Sequence, residues 1–302
     1  MTDRPSPKVS IAIITYNQID FLKEAIESCL SQTFQDFEII IADDGSTDET
    51  HEYVTSLAET DHRIVPVLST TNTGVTSNSN RAFHACSGEF IAWLGGDDLM
   101  LPSKLEEQVA LMESDPDCAL CYHDVEVFES QTGKILRHFN SGPKGLKPRE
   151  GGAEALLIHG TINCGCATMV RRSACPEYGF DEKIPVASDW LHWIETTRNG
   201  SVKFLPKILG RYRRHAGNLT AKPRAGDHEF LLTLGIIEAR YPEMVSHTRK
   251  RRASLLYTQA RRFDRGGNKQ LALKNAWEAF RLRPFHMQSI LFLGFACFKR
   301  FL

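Results

Sequence analysis

Two neighbouring carboxylates, Asp97 and Asp98, directly follow an apolar run and two glycines. Like charges repel, and adjacent residues of a strand face opposite ways, so such a pair needs a chemical reason. Two further polar clusters also end apolar runs, Thr15-Tyr16-Asn17 and Asp43-Asp44-Gly45-Ser46. Three polar clusters that converge on one edge of a sheet predict a polar ligand pocket.

The apolar runs before these clusters read as buried strands that alternate with amphipathic helices. The predicted strands are VSIAIITYN, FEIIIAD, RIVPVL and EFIAWL, and Pro66 places the third at an edge or an irregular position. A cap at Asp20 and capping boxes at Ser46/Glu49 and Ser103/Glu106 predict where three helices begin. A further helix is predicted from Val75 to about Cys86. This alternation predicts a mostly parallel, Rossmann-like α/β sheet with flanking helices, and such sheets bind ligands at the carboxyl ends of their strands.

The second half of the chain is less regular. The pattern predicts a loop at NSGPKGLKPREGG, a strand near Ala167 to Arg171, and a helix from Asp189 to Asn199. VKFLPKILGRYRRH reads as strand and loop. The chain from Gly226 onward reads as a helical extension, with two helices around Gly266-Gly267 between Ala253 and Pro284.

Composition and charge narrow the function classes. The 302 residues are 42% hydrophobic with a net charge of -1, which is globular and argues against nucleic acid as a partner. Residues 241–302 hold thirteen Lys/Arg and three Asp/Glu, so this segment carries +10, which suggests contact with an anionic surface. No apolar signal core or spanning run is present, so we expect a cytoplasmic protein. We expect the eight cysteines to be reduced thiols rather than zinc ligands.

Four longer segments carry a family resemblance: residues 9–50, residues 72–109, ASDWLHWI and YRRHAGNLT. Together, over Lys8 to Thr220, they resemble the family 2 glycosyltransferases, which are inverting enzymes with a GT-A fold. The resemblance implies a catalytic domain at residues 1–222. Residues 1–115 would bind the nucleotide sugar, residues 116–222 the acceptor, and residues 223–302 would form the basic helical extension.

The chemistry of sugar transfer explains which side chains such a site needs. A base and a ribose offer hydrogen-bond donors to carboxylates, and a diphosphate needs a divalent metal or basic side chains. By the resemblance, Asp44 contacts the nucleobase and Asp97 the ribose or sugar, while Asp98 binds Mn²⁺ or Mg²⁺. Thr15 and Tyr16 would line the base and ribose, Asn72 belongs to the donor-binding NxG loop, and His215 would be a further metal or diphosphate contact.

The resemblance also assigns Asp189 as the general base that removes the acceptor's proton. From the residues alone, Asp189 is equally suited to cap a helix that begins at Trp190. The chain departs from the family pattern at three positions: Gly95 and Ser188 replace acids, and Ser79 replaces an arginine. Arg81 follows nearby, but a helix turns by about 100° per residue, so we expect Arg81 to point elsewhere.

These patterns predict transfer of a single sugar from a nucleoside diphosphate donor to a hydroxyl of a glycan or lipid-linked acceptor, as in bacterial surface polysaccharide synthesis. The Gln-x-x-Arg-Trp signature of processive relatives is missing. Alternatives are a nucleotidyltransferase of similar fold and a non-catalytic sugar-nucleotide-binding scaffold. The final segment, from Phe285 to Leu302, is apolar with a basic end. It suits the inner membrane surface, a helix buried on the domain itself, or a homo-oligomer contact.

Overall fold

The computed structural model describes residues 6–160, 164–219 and 226–284. Contacts divide the chain into two units, Met1–Leu156 with Thr161–Pro223, and Leu157–Gly160 with Arg224–Leu302. The described strands are β1 (Val9–Thr15), β2 (Phe37–Asp43), β3 (Ile64–Leu68), β4 (Phe90–Gly95), β5 (Leu99–Met100), β6 (Cys118–Glu129), β7 (Ile135–His138), β8 (Thr168–Arg171) and β9 (Ser201–Arg214). The described α-helices are α1 (Ile19–Leu30), α2 (Thr50–Thr60), α3 (Val75–Ala85), α4 (Lys104–Ser114), α5 (Ala153–His159), α6 (Ser188–Thr196), α7 (Gly226–Arg240), α8 (Val245–Arg265) and α9 (Lys269–Leu282).

The first unit holds one mixed sheet in the order β3-β2-β1-β4-β8-β6-β9-β5, with β7 paired to β6. The strands β3, β2, β1 and β4 are all parallel, as predicted, and β3 with Pro66 lies at the edge. The register places Thr15 beside Asp43 and Ile14 beside Gly95. The polar clusters that follow these strands therefore meet at one edge of the sheet.

The long strand β9 lies between β6 and β5 in the sheet and also reaches this edge. It runs parallel to β6 and antiparallel to the short β5, where Leu99 pairs with Arg211. The predicted strand and loop at VKFLPKILGRYRRH is thus a single continuous strand. Because β5 directly follows the second acidic pair, its pairing brings the end of β9 beside that pair.

Two of the three predicted helix caps are wrong, and the third is right in its position only. The N-cap position of α1 is Gln18, and Asp48 from the next loop accepts the hydrogen bond of the Ile19 amide at 3.1 Å. Ser46 bonds Asp43 instead of capping, and α2 starts only at Thr50. Ser103 does occupy the N-cap position of α4, but its side chain makes no capping hydrogen bond. For α1, a partner from another loop thus replaced the predicted local cap.

The second unit is helical, as predicted, although α8 begins at Val245 rather than near Ala253. Helices α8 and α9 pack together around Gly266-Gly267, with small alanines on their buried faces, which allows close approach. Asn268 caps α9 by accepting a hydrogen bond from the Leu271 amide at 3.1 Å. In the described part of the chain, no helix is both long and apolar enough to cross a bilayer.

Candidate functional site

The end of β1 organises both acidic loops. The Asp44 amide donates to the carbonyl of Thr15 at 3.1 Å, and the Gly96 amide donates to the carbonyl of Ile14 at 2.9 Å. A Cβ added to Gly96 would lie 2.7 Å from Gln18 Nε2 and 2.9 Å from Thr15 Oγ1, so any larger residue would force one of these side chains to shift. The sheet therefore holds these two loops next to each other.

Thr15 itself has an available hydroxyl. It is 3% exposed, and its Oγ1 has no hydrogen-bond partner among the described residues. A buried polar atom without a partner is costly, and a ligand hydroxyl or carbonyl would satisfy it. Tyr16 and Asn72 are instead exposed, Tyr16 by 44%, and both are accessible to a ligand.

Asp44 is surrounded by donors from the loop before α3. Its carboxylate accepts hydrogen bonds from the amides of Thr73 and Gly74, at 3.0 and 2.8 Å, and from the hydroxyl of Thr73. The Arg81 guanidinium completes the set at 2.6 Å. Burial acts to raise the pKa of Asp44, but these donors outweigh burial and hold the pKa below its ordinary value. Asp44 is therefore an ionised anchor for the NxG loop.

The prediction that Arg81 points elsewhere is wrong. Its guanidinium reaches back to the helix start and contacts Asp44, Thr73 and Asn78. Side chains on a helix lean toward its N-terminus, and arginine is long enough to span the distance. Ser79, at the family's arginine position, is buried and donates to the Val75 carbonyl at 2.8 Å. Arg81 is thus a cation that sequence spacing alone did not reveal.

Asp97 forms hydrogen bonds with two side chains that follow strand β9. Its Oδ2 lies 2.9 Å from His215 Nε2 and accepts a hydrogen bond from Asn218 Nδ2 at 2.9 Å. Its Oδ1 lies 2.7 Å from where a Cβ on Gly95 would be. The glycine that replaces an acid of many relatives therefore leaves the room that the Asp97 carboxylate uses. The structure thus places His215, a predicted metal or diphosphate contact, against Asp97.

Asp98 points inward and is 4% exposed. Burial, followed by the charge of Asp97, raises the pKa of Asp98 well above its ordinary value. The backbone amide of Arg213, which donates to Oδ1 at 2.8 Å, and the Cys166 thiol oppose that shift. A nearby cation would stabilise the ionised form of a carboxylate in this position, because the cation offsets both the effect of burial and the charge of Asp97.

Arg213 belongs to this site, although the sequence indicated only that Arg213 or Arg214 would lie near His215. It is 3% exposed, and its guanidinium lies between the rings of Phe21 and Phe128, 4.7 and 4.8 Å from their centroids. It donates to the carbonyl of Asp97 at 2.7 Å and forms an ion pair with Glu24 at 2.6 Å. Arg213 therefore holds the loop of Asp97 and Asp98 in place with both its side chain and its backbone amide.

The donor set can be tested for a divalent metal. Within residues 6–160, 164–219 and 226–284, no three His, Cys, Asp or Glu side chains converge as a complete metal site. Mg²⁺ in phosphate-binding enzymes typically uses one or two carboxylates and takes other ligands from water and substrate phosphates. Asp97 with His215, and Asp98 as the next residue, could supply only part of such a ligand set, and the substrate would have to supply the missing oxygens.

Asp189 lies in the first turn of α6, and the predicted alternative of an N-cap is wrong, since Ala187 holds that position. Ser188 Oγ lies 2.8 Å from Thr76 Oγ1 on α3, directly after the loop that binds Asp44. The serine that replaces an acid of the family thus joins α6 to α3. This contact brings the start of α6 beside the start of α3.

An aromatic cluster fixes α6 to β4. Trp93 of β4 packs edge-on against Phe180 at 5.0 Å and against Trp193 of α6 at 6.1 Å between ring centroids. His192 of α6 stacks on Phe180 at 4.1 Å. Strand β4 and helix α6 are therefore packed against each other through this aromatic cluster. The strand leads to Asp97 and Asp98, and the helix carries Asp189.

Comparisons with known proteins agree with this architecture. Residues 10–179 match the family described as "Glycosyl transferase family 2". An uncharacterized glycosyltransferase of Haemophilus influenzae is 29% identical over 220 residues, which cover 71% of this chain and 68% of that protein. One from Methanocaldococcus jannaschii is 32% identical over 211 residues, covering 68% and 71%.

Two solved structures share the fold at low sequence identity. S. aureus TarS 1-349 in complex with UDP-GlcNAc has a TM-score of 0.61 and 14% identity, and the match covers 91% of each chain. The mannosyltransferase PcManGT from Pyrobaculum calidifontis, in complex with GDP-Man and Mn²⁺, has a TM-score of 0.59 and 16% identity, covering 97% of this chain and 81% of that one. The GT-A-type fold predicted from the sequence is confirmed.

Proposed function

The chain belongs to glycosyl transferase family 2 and is a glycosyltransferase, and we propose that it is an inverting enzyme that transfers one sugar from a nucleoside diphosphate donor to a hydroxyl of a glycan or lipid-linked acceptor. The observation that carries this proposal is the joint placement of Asp97, buried Asp98 and His215 beside the Asp44 loop. Such a cluster suits a diphosphate with a cation on one side and a nucleoside on the other.

The donor nucleotide would occupy the edge above β1. Asp44 would face the nucleobase, with Thr15, Tyr16 and Asn72 around the base and ribose, and Asp97 would contact the ribose or sugar. Support comes from the unpaired buried hydroxyl of Thr15 and from the exposed Tyr16 ring, which offers a stacking face. The donors that already hold Asp44 imply that it acts together with the NxG loop rather than as a free carboxylate.

Asp98 and His215 would hold Mn²⁺ or Mg²⁺ together with the diphosphate. When bound, this cation would stabilise the negative charge that grows on the departing nucleoside diphosphate. The relative PcManGT, crystallised with GDP-Man and Mn²⁺, supports this choice of cofactor.

Asp189 would act as the general base. The acceptor oxygen would bond to the anomeric carbon as the bond to the diphosphate oxygen breaks, and the Asp189 carboxylate would take the acceptor's proton. Its place in the first turn of α6 supports this role, because a helix N-terminus favours the ionised carboxylate. A buried aromatic cluster holds that helix, so the base would have a defined position.

The test is a donor panel in which release of nucleoside diphosphate and sugar transfer are both measured. Asp189→Asn should lower transfer by about 100-fold or more while leaving donor binding intact. Asp20→Asn, which changes an exposed acid in the first turn of α1, is the matched control and should keep full activity. Full transfer by Asp189→Asn would remove the proposed base. Donor binding without transfer by the unaltered protein would favour the scaffold alternative. In a second assay with a nucleoside triphosphate and a sugar 1-phosphate, release of pyrophosphate would favour the nucleotidyltransferase.

We further propose that the acceptor lies at the inner membrane surface, in surface polysaccharide synthesis. Helices α8 and α9 together hold ten Lys/Arg and two Asp/Glu. On α9, Lys274, Trp277 and Arg281 are exposed at helical spacing on one face, and Trp277 is 54% exposed. An exposed tryptophan between cations suits the interface of an anionic bilayer. The apolar segment 285–302, also predicted to contribute, lies outside the described residues.

Vesicle sedimentation tests this attachment. The full chain should bind vesicles with anionic lipid and not neutral ones, and Lys274→Glu with Arg281→Glu should weaken binding about tenfold. Lys8→Glu, a single charge reversal in the other unit, is the control. Equal binding of both vesicle types would exclude an electrostatic membrane surface.

A further inference from the structure

Cys164 and Cys166 form a thiol pair beside the acidic cluster. They flank Gly165 at the start of a 3₁₀ helix, Gly165–Ala167, and their sulfur atoms lie 3.5 Å apart. The described cysteines are all free thiols, and in that part of the chain these two are the pair with sulfurs in contact. A disulfide needs a sulfur separation of about 2.05 Å, so a shift of roughly 1.5 Å would join them.

The two thiols differ in access. Cys166 is fully buried beside the Asp98 carboxyl, while Cys164 is partly exposed. Cys164 is therefore placed to meet a solute, and Cys166 to complete a reaction with Cys164.

We propose that Cys164 and Cys166 are an oxidation site, at which a hydroperoxide converts the pair to a disulfide and thereby weakens donor binding at Asp98. In the first step the Cys164 sulfur attacks the peroxide, an S–O bond forms, the O–O bond breaks, and water or an alcohol leaves. In the second step the Cys166 sulfur attacks the Cys164 sulfur, the S–S bond forms, and the hydroxyl leaves as water with the Cys166 proton. Two thiols are oxidised by two electrons and one peroxide is reduced.

The disulfide would act on the site by moving a buried sulfur. To bond to Cys164, the Cys166 sulfur has to leave its place beside the Asp98 carboxyl, and the shift of roughly 1.5 Å has to be taken up in closely packed surroundings. A displacement of about 1 Å in a group that holds a ligand is enough for about a tenfold effect on affinity. This consequence for donor binding rests on the proposed role of Asp98, whereas disulfide formation does not.

Mass spectrometry tests directly whether Cys164 and Cys166 form a disulfide. The full chain is treated with graded hydrogen peroxide, denatured, alkylated and digested. The peptide with Cys164 and Cys166 should become two hydrogens lighter, resist alkylation, and recover with dithiothreitol. Cys175, partly exposed but without a described partner sulfur, should stay alkylatable at the same dose. Persistence of two alkylatable thiols at positions 164 and 166, or pairing of either with another cysteine, would overturn the oxidation site.

Donor binding tests the functional half. Oxidised protein should bind nucleoside diphosphate with Mn²⁺ about tenfold more weakly than reduced protein, and dithiothreitol should restore binding. Cys164→Ser changes a partly exposed residue and should bind normally and ignore peroxide, and Cys175→Ser should still respond. Unchanged binding by a protein shown to hold the 164–166 disulfide would overturn the coupling. If reduced protein binds no donor at all, the proposed function fails while the mass measurement still decides the disulfide.

Discussion

The backbone amide of Arg213 donates a 2.8 Å hydrogen bond to Asp98, while its guanidinium donates to the carbonyl of Asp97. One residue of β9 thus holds both neighbouring acids at the end of β4. Because Asp98 is buried and next to another carboxylate, such a fixed donor offsets part of the cost of its charge.

We expect Arg213→Lys to lower transfer more than it lowers stability. Lysine keeps the charge and, through the unchanged backbone, the hydrogen bond to Asp98. It loses the planar group that contacts Asp97, Glu24 and the two aromatic rings at once. Turnover at saturating donor should fall about tenfold or more, whereas Arg214→Lys, one residue further, should change it little. Equal loss of turnover and unfolding free energy in both variants would indicate a general packing effect.

Asp44 and Arg81 should be energetically coupled. Their 2.6 Å ion pair involves a carboxylate whose side chain is 5% exposed and an arginine that is 27% exposed. Asp44→Asn and Arg81→Met alone should each destabilise the protein, because each leaves the other charge without its partner. In a double-mutant cycle by urea unfolding we expect a coupling of about 1 kcal/mol or more. If the effects of the two substitutions on the free energy of unfolding are additive, the coupling energy is zero and the ion pair makes no net contribution to stability.

Mn²⁺ should bind well only together with a nucleotide. The described residues supply no complete ligand set, so phosphate oxygens are needed to finish the coordination. Thermal unfolding should show a small shift with Mn²⁺ alone and a larger one with Mn²⁺ plus UDP or GDP, since ligands of the native state raise stability. Asp98→Asn should remove the extra shift. A full shift with Mn²⁺ alone would indicate a preformed metal site.

His192 should make stability depend on pH. Burial lowers its pKa to about 4, although the hydrogen bond to the Gly179 carbonyl opposes that shift. The unfolded state, with a pKa near 6.5, binds the proton first as the pH falls. The contribution of neutral His192 is thus complete above pH ~6.5 and is lost progressively toward pH ~4, by roughly 3 kcal/mol at most. The rings of Phe83, Phe180 and Trp193 surround it.

Urea unfolding at pH 7 and pH 4.5 measures this effect. His192→Asn keeps a donor for the Gly179 carbonyl but does not titrate in this range, so the loss of stability between the two pH values should shrink. His84→Asn changes an exposed histidine and should leave the loss unchanged. An identical pH dependence in the protein and in His192→Asn would contradict the buried neutral ring.

Sequence pattern predicted the parts of this molecule that depend on local order. The four parallel strands are continuous apolar runs, and the acidic pairs follow them directly, so the strand edge could be read from the chain alone. The partners of those acids could not. Arg81 reaches back along its helix, Arg213 arrives from a strand 115 residues after Asp98, and Asp48 replaces the expected local cap of α1. Each of these contacts depends on tertiary geometry that spacing does not encode.

The link between Asp98 and Arg213 also bears on how the protein is made. Since the two residues are 115 positions apart, a chain still emerging from the ribosome holds its four parallel strands long before β9 exists. Up to that moment Asp98 lacks the amide that accommodates its charge, so a half-made enzyme would expose an incomplete pocket. Pairing at such a distance forms slowly, and the proposed donor-binding site is therefore completed late in biosynthesis.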